Sequence, residues 1–411
     1  PSLIVCPASL VLNWAEECRK FTPELTCVVV DGDAAHRAAL AENWPAADLV
    51  VTSYDLLRRD EALYEGQEFY ACILDEAQAI KNHTTQKYKA VCKVRSRVRF
   101  ALTGTPVENR LGELWSIFSF LMPGYLPPYK SFCSRFEKPI VQEEDQTAVR
   151  RLNQLTGPFI LRRMKADVLK ELPPKTENVY RIELEEEQRK LYLAAVVDAR
   201  EKLRAAKPED KMAVFAVLMR LREICCDPRL IADNWEGGSA KLDACVELIS
   251  GAVEGGHRIL LFSQFTSMLE LLAKRLDAEG ISHFTLQGST PKPVRAELVR
   301  RFNGGEVSVF LISLRAGGTG LNLTAADIVI HYDPWWNVAA QNQATDRAYR
   351  IGQQNPVQVY KLIAQDTIEE KIVELQQAKQ SLADTVTGTA DGAILSMRPD
   401  ELLQLLEGSE G

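Results

Sequence analysis

The chain has 411 residues, of which 46% are hydrophobic and 26% charged, and 49 Lys and Arg against 56 Asp and Glu leave a net charge of −7. That length calls for two domains or slightly more, each able to bury a core of its own. No apolar run reaches the ~20 residues a membrane helix needs, no signal peptide opens the chain, and the acidic balance excludes a uniformly basic coat, though local patches can still bind a polyanion. In chain order, apolar runs at Leu3–Cys6, Cys27–Val30, Leu49–Thr52, Ala71–Leu74 and Val98–Thr103 are continuous rather than alternating. Such runs predict parallel strands covered on both faces. From Val107 to Gly238 helical patterning takes over, clearest in L-Y-L-A-A-V-V-D-A-R-E-K-L and M-A-V-F-A-V-L-M-R-L-R-E-I. Breaks at Pro127-Pro128, Pro173-Pro174 and Gly237-Gly238 mark the joints. A second strand series follows at Ile259–Phe262, His283–Leu286, Val307–Ile312, Asp327–Tyr332 and Val357–Ile363. From Asp384 onward six carboxylates face a single arginine.

The nine cysteines are scattered without a C-x-x-C pair, and Cys225-Cys226 are adjacent, which suits neither zinc nor easy intrachain pairing. They read as reduced thiols of a cytoplasmic protein. The five histidines are equally dispersed, so no structural zinc is expected.

Two groups of residues carry chemistry. Asp75-Glu76-Ala77-Gln78 follows the apolar strand that ends at Leu74, and the carboxyl ends of parallel strands are where open α/β sheets bind ligands. One carboxylate there can hold Mg²⁺ through water while its neighbour deprotonates the attacking water. Thr103 and Thr105 offer hydroxyls at the next strand end, with Gly104 between them. In the second series Asn337 caps a helix running to Ile351 that carries Gln343, Arg347 and Arg350 at i, i+4 and i+7, hence on one face. Two arginines held at a sheet edge can neutralise the charge on a departing phosphoryl group. A solvated basic face is the plain alternative, and the same holds for the clusters Lys93, Arg95, Arg97, Arg99 and Arg162, Arg163, Lys165.

Taken in order, P-S-L-I-V-C-P-A-S-L-V-L-N-W from Pro1, T-S-Y-D from Thr52, D-E-A-Q-A-I-K-N from Asp75, L-T-G-T-P-V-E-N-R from Leu102, F-S-Q-F from Phe262, L-Q-G-S-T from Leu286, R-A-G-G-T-G-L-N-L-T-A-A-D from Arg315 and Y-D-P-W-W-N from Tyr332 resemble the Swi/Snf family of superfamily-two helicase-like ATPases. The resemblance covers nearly the whole chain. It implies two RecA-like parallel-sheet lobes, with a helicase ATP-binding lobe at 1–125, a helical linker at 126–238, a helicase C-terminal lobe at 239–380 and an acidic tail at 381–411. It also implies a compact, bacterial or archaeal type of monomeric, cytoplasmic or nucleoid-associated motor that uses ATP and Mg²⁺ to move on double-stranded DNA and displace bound proteins.

Residue by residue, the resemblance makes Asp75, Glu76, Arg347 and Arg350 catalytic, with Asp75 the water-mediated Mg²⁺ holder. It assigns Gln78, Gly318, Gly320 and Gln343 to ATP, and Thr103, Gly104 and Thr105 to coupling. Pro7, Ser9, Thr52, Ser53, Ser263, Gln264, Gly288, Arg315 and Thr319 match motifs that line the DNA track, where small hydroxyls and backbone N–H groups suit phosphate. In the family, ATP lies between the lobes and hydrolysis requires their closure. Trp335 and Trp336 are read as structural, at the turn from strand into arginine helix. Two departures, Cys226-Asp227 for the usual Asn-His and Val338 for the usual proline, touch packing and helix preorganisation rather than chemistry.

No G-x-x-x-x-G-K-[ST] phosphate loop occurs in the chain, which opens without methionine inside a strand pattern. The expectation is therefore an incomplete first lobe and a piece inactive by itself. A non-catalytic DNA- or protein-binding clamp is the alternative, and upstream sequence with a G-K-T or G-K-S string separates the two. The resemblance further places the strand leading into that loop between those ending at Asp75 and Thr103, predicting a gap there.

Overall fold

The computed structural model describes residues 1–104, 111–143, 145–161, 163, 169, 171–207, 210–232, 234–317, 321–376 and 399–407. They divide into two compact units, one formed by residues 1–163 and the other by the described residues beyond.

The first unit is built on a parallel sheet of β1 (Ser2–Cys6), β2 (Cys27–Val29), β3 (Leu49–Ser53), β4 (Glu68–Leu74) and β5 (Arg95–Ala101), in the order β2-β3-β1-β4-β5. Its central strand explains the unbroken apolar run. Leu3 and Val5 of β1 pack with Val50, Leu74, Trp44 and Phe120 on one face. Ile4 and Cys6 pack with Val51, Leu10 and Val11 on the other. Successive side chains of a strand point to opposite faces, so a strand buried on both has no polar position to spare.

One expectation is overturned here. β4 and β5 are hydrogen-bonded neighbours, with Ala71 opposite Val98 and Leu74 opposite Ala101, so no gap separates the strands that lead to Asp75 and Thr103. β5 lies instead at the edge of the sheet, with Val98 and Phe100 exposed.

The second unit holds a parallel sheet of β6 (Lys175–Ile182), β7 (Ile259–Ser263), β8 (His283–Leu286), β9 (Val309–Ser313), β10 (Ile328–His331) and β11 (Val357–Ala364), in the order β6-β11-β10-β7-β9-β8. Every run read as a strand forms one, within about three residues at its ends. β6 was not foreseen, because it lies in the stretch read as helical. Seven of its eight residues are exposed, so it lacks the apolar pattern of a strand. Its conformation comes from pairing along its whole length with β11, Lys175 opposite Val357 through Ile182 opposite Ala364.

Helices Glu186–Ala205 and Lys211–Cys226 form a hairpin whose core, around Tyr192, Leu203, Leu218 and Leu221, also takes in Trp336 and the short helix Pro399–Glu407 through Leu402 and Leu406. Among the described residues two fully buried ion pairs stitch this unit together, Arg222 with Asp333 and Lys241 with Glu369. Removing one partner of such a pair costs about 3–5 kcal/mol, since the other charge stays buried. None of the nine cysteines forms a disulfide, and six are buried, among them Cys225 and Cys226. Burial pushes both of these thiols well above their usual range.

Candidate active site

In the first unit, β1, β3, β4 and β5 run parallel and deliver their carboxyl ends to one edge of the sheet. β4 stops at Leu74, and Asp75 continues its ladder by donating its N–H to the Val5 carbonyl at 2.8 Å. The Asp75 carboxylate is held from two sides. Its Oδ2 accepts from the indole Nε1 of Trp14 at 2.8 Å and its Oδ1 from the N–H of Glu76 at 2.9 Å. The Tyr54 hydroxyl donates to the Asp75 carbonyl at 2.9 Å. Burial first, and the charge of Asp75 second, push the Tyr54 pKa upward, so this hydroxyl stays a donor.

Glu76 occupies the left-handed region, at φ 51° and ψ 54°. A side chain there is strained, and strain of this kind gathers at functional sites. Gln78 donates its Nε2 to Glu76 Oε2 at 2.6 Å, and Thr103 Oγ1 donates to Gln78 Oε1 at 2.8 Å. A linear relay thus runs from the end of β5 to the Glu76 carboxylate, and the main chain doubles it, Ala77 N–H to the Leu102 carbonyl at 2.9 Å. Gly104 follows the relay in open space. A Cβ there would meet nothing within 4 Å among the described residues. Thr105 lies outside the described residues.

Asp75 suits a hard cation reached through water. Each carboxylate oxygen accepts one in-chain bond and keeps a further acceptor direction. Among the described residues no group of three or more His, Cys, Asp or Glu forms a cage. Mg²⁺ characteristically binds one or two carboxylates, several waters and the substrate's phosphates.

The candidate DNA-track residues of this unit sit at the same sheet edge. Pro7 and Ser9 form the turn after β1, closed by Leu10 N–H to the Pro7 carbonyl at 2.8 Å, and the helix Val11–Phe21 follows. The Ser9 hydroxyl is buried and has no hydrogen-bond partner among the described residues. Thr52 and Ser53 are the last residues of β3, both buried, and Ser53 Oγ caps the helix Tyr54–Arg59 by accepting from Leu56 N at 3.2 Å. The basic cluster on β5 is largely engaged elsewhere. Lys93 pairs with Glu61 and Arg97 with Glu68, while Arg99 donates to the Phe120 and Val94 carbonyls.

In the second unit, Ser263 ends β7 and hydrogen-bonds Asp333 Oδ1 at 2.5 Å, with Gln264 next in the chain. Asp333 is raised above the usual carboxylate range by burial, against the lowering pull of Arg222. Arg222 also stands 4.2 Å from the Trp336 ring and donates to the Pro334 carbonyl, so Trp335 and Trp336 pack around it as structural residues. Gly288 lies in a loop pinned by Arg295, which donates to the carbonyls of Gln287, Gly288 and Thr290. The side chain of Arg315 and the residues Gly318, Thr319 and Gly320 lie outside what the structure describes.

Asn337 caps the helix Val338–Thr345, its Oδ1 accepting from Ala340 N at 2.6 Å, and Gln343 lies on that helix. His331, the last residue of β10, shares a 2.8 Å hydrogen bond with Thr345 Oγ1 and ties helix to strand. The expected continuation to Ile351 does not occur, so Arg347 and Arg350 do not share a helical face with Gln343. The carbonyls of Arg347 and Ala348 are captured from outside the helix, by Leu323 N–H at 3.0 Å and by Gln353 Nε2 at 3.1 Å. Tight turns then carry the chain to Gly352, at φ 102°. Arg347 is buried, and Arg350 Nη1 lies 3.4 Å from the Leu321 carbonyl.

Trp14, Tyr54 and Arg222 escaped the reading of the sequence as site residues. Trp14 and Tyr54 stand inside the motifs P-S-L-I-V-C-P-A-S-L-V-L-N-W and T-S-Y-D, which was the available signal; Arg222, in a helix far from Asp333 in sequence, offered none.

Comparison with known proteins agrees with this geometry. Residues 1–230 match the model of the SNF2-related domain, and residues 240–352 that of the helicase conserved C-terminal domain. The chain is 40% identical to an uncharacterized ATP-dependent helicase of Mycoplasma pneumoniae, over 99% of the chain and 39% of that protein. It is 39% identical to a putative ATP-dependent helicase/translocase of Bacillus subtilis, over 98% of the chain and 45% of that protein. The chain therefore spans about two fifths of these curated relatives. Among solved structures, the SWI2/SNF2 ATPase core domain of Sulfolobus solfataricus aligns with a TM-score of 0.50 at 35% identity, covering 99% of the chain and 84% of that structure. The chain belongs to the SNF2-related family and has the two α/β lobes of its ATPase core.

Proposed function

We propose that these residues are the core of a motor that hydrolyses ATP to move on double-stranded DNA and to displace or remodel proteins bound to it. The observation that carries the reading is the relay Thr103–Gln78–Glu76 beside the doubly held Asp75, at the carboxyl edge of a parallel sheet. In this reading Glu76 takes the proton of the attacking water, and Gln78 keeps its carboxylate aimed. Thr103 tells that carboxylate of movements at the end of β5. Asp75 would hold Mg²⁺ through water, and the cation, when bound, would supply positive charge to the phosphate oxygens. Gln343 contacts the nucleotide, while Arg347 and Arg350 neutralise charge on the phosphoryl group as it leaves.

DNA is gripped at strand ends. Because the Ser53 and Ser263 hydroxyls and the N–H groups of Leu56, Gln264 and Phe265 are engaged inside the chain, the phosphate contacts fall to the turn at Pro7 and Ser9 and to the Gln264 side-chain amide, which has no partner among the described residues. Such contacts position the motor without reading sequence.

The test uses a protein carrying these residues together with a lysine phosphate loop. Glu76→Gln keeps the shape and removes the base, so ATP affinity should hold while DNA-stimulated turnover falls by about 10²–10⁴-fold. Near-normal turnover would take Glu76 out of the chemistry. A labelled strand should not be displaced from the duplex as the motor moves.

A further inference from the structure

Two aromatic side chains connect the candidate DNA track to the candidate metal-holding carboxylate, and neither has a part in the chemistry above. Trp14 lies on the first helix, which begins directly after the Pro7–Leu10 turn, and its N–H continues that turn by donating to the Leu10 carbonyl at 2.9 Å. Its ring packs against the face of β1 and β3 that carries Ile4 and Val51, and its indole N–H reaches Asp75 Oδ2. Tyr54 follows Ser53 immediately, opens the next helix, and reaches the Asp75 carbonyl. The two loops assigned to DNA in this unit are therefore each a single side-chain hydrogen bond from Asp75. One bond ends on its carboxylate and the other on its backbone.

We propose that Trp14 and Tyr54 are positioning residues that transmit DNA binding at the Pro7–Leu10 turn and the end of β3 to Asp75, and through its bond with the Glu76 N–H to the strained Glu76. The inference rests on the reading of these loops as DNA contacts. Its mechanical basis is stiffness. A phosphate drawn to the Pro7–Leu10 turn shifts the start of a helix, and an indole fixed to that helix moves with it. The carboxylate must follow or lose the bond. Mere packing would need no polar tip on either ring to meet the same residue.

The experiment uses the whole 411-residue chain labelled with 5-fluorotryptophan and a short mixed-sequence DNA duplex. Duplex affinity is read by anisotropy. The Trp14 fluorine resonance, identified by its loss in Trp14→Phe, is followed with and without duplex. Hydrogen exchange of the Glu76 amide, which is bonded to Asp75, is measured in parallel. Duplex should move the Trp14 resonance and slow Glu76 exchange by about fivefold or more, the lower end of ordinary coupling between sites. In Trp14→Phe and Tyr54→Phe the slowing should shrink to within about twofold while duplex affinity stays unchanged. Trp14→His keeps a ring N–H and should restore part of it, and this variant also serves if Trp14→Phe fails to fold. A chain that does not bind duplex would overturn the DNA reading itself. Duplex binding with a still Trp14 resonance, or with undiminished slowing in both phenylalanine variants, would overturn the coupling alone.

Discussion

Glu76 shows what a single residue gives up to serve a site. A non-glycine residue at φ 51° carries roughly 1–2 kcal/mol of steric strain, and the bond from Gln78 holds the side chain in place against it. Glycine removes the strain and the side chain together, whereas alanine removes only the side chain. Urea unfolding should therefore find Glu76→Gly about 1 kcal/mol more stable than Glu76→Ala, after allowance for the larger entropy of unfolded glycine. Equal stabilities would mean that this backbone conformation is unstrained. The carboxylates Asp75 and Glu76 were legible in the sequence because two adjacent charges directly after a wholly apolar run stand where a buried strand meets the ligand edge of its sheet. Trp14 was not, because a tryptophan on an amphipathic helix reads as core until its N–H is seen to end on Asp75.

Among the elements, the helix Val338–Thr345 depends on an uncharged histidine. Burial, assisted by Lys361, lowers the pKa of His331 from the ordinary 6.5 to about 3. The unfolded chain takes up a proton that the folded chain refuses, so the stabilisation is complete above pH ~6.5 and drains away as pH falls toward ~3. Between pH 7 and pH 5 this one group should cost the second unit about 2 kcal/mol. Denaturant midpoints at the two pH values should show the loss, and His331→Gln, which cannot titrate, should flatten it. A pH response identical in both proteins would place the acid sensitivity elsewhere. The start of this helix was visible in Asn337, since capping is a local matter of one side chain and one N–H. Its end was not, because Leu323, from elsewhere in the chain, and the Gln353 side chain, just beyond, take the carbonyls that a longer helix would have used.

For the molecule as a whole, strands with their own apolar run were readable and the one without was not. β6 exists because β11 offers it a complete row of partners, a fact that no property of Lys175–Ile182 announces. The order of strands was equally hidden, since pairing is settled by crossovers and not by composition, and so β5 came to stand beside β4 and at the edge of its sheet. That edge has a consequence for the life of the polypeptide in solution. A strand that stands at the sheet edge among the described residues, with Val98 and Phe100 exposed, is a template for cross-β growth. Arg97 is balanced by Glu68, but Arg95 stands exposed along the same strand, so a second copy approaching it meets like charge. This basic side chain thus acts as a gatekeeper against aggregation, and its protection is only as good as the solvent allows. Salt shortens the reach of that repulsion to about 3 Å at 1 M. Light scattering should find the chain dispersed at low ionic strength and clustering as salt rises, with Arg95→Ser clustering earlier. Scattering that falls with salt would show instead that opposite charges draw the copies together.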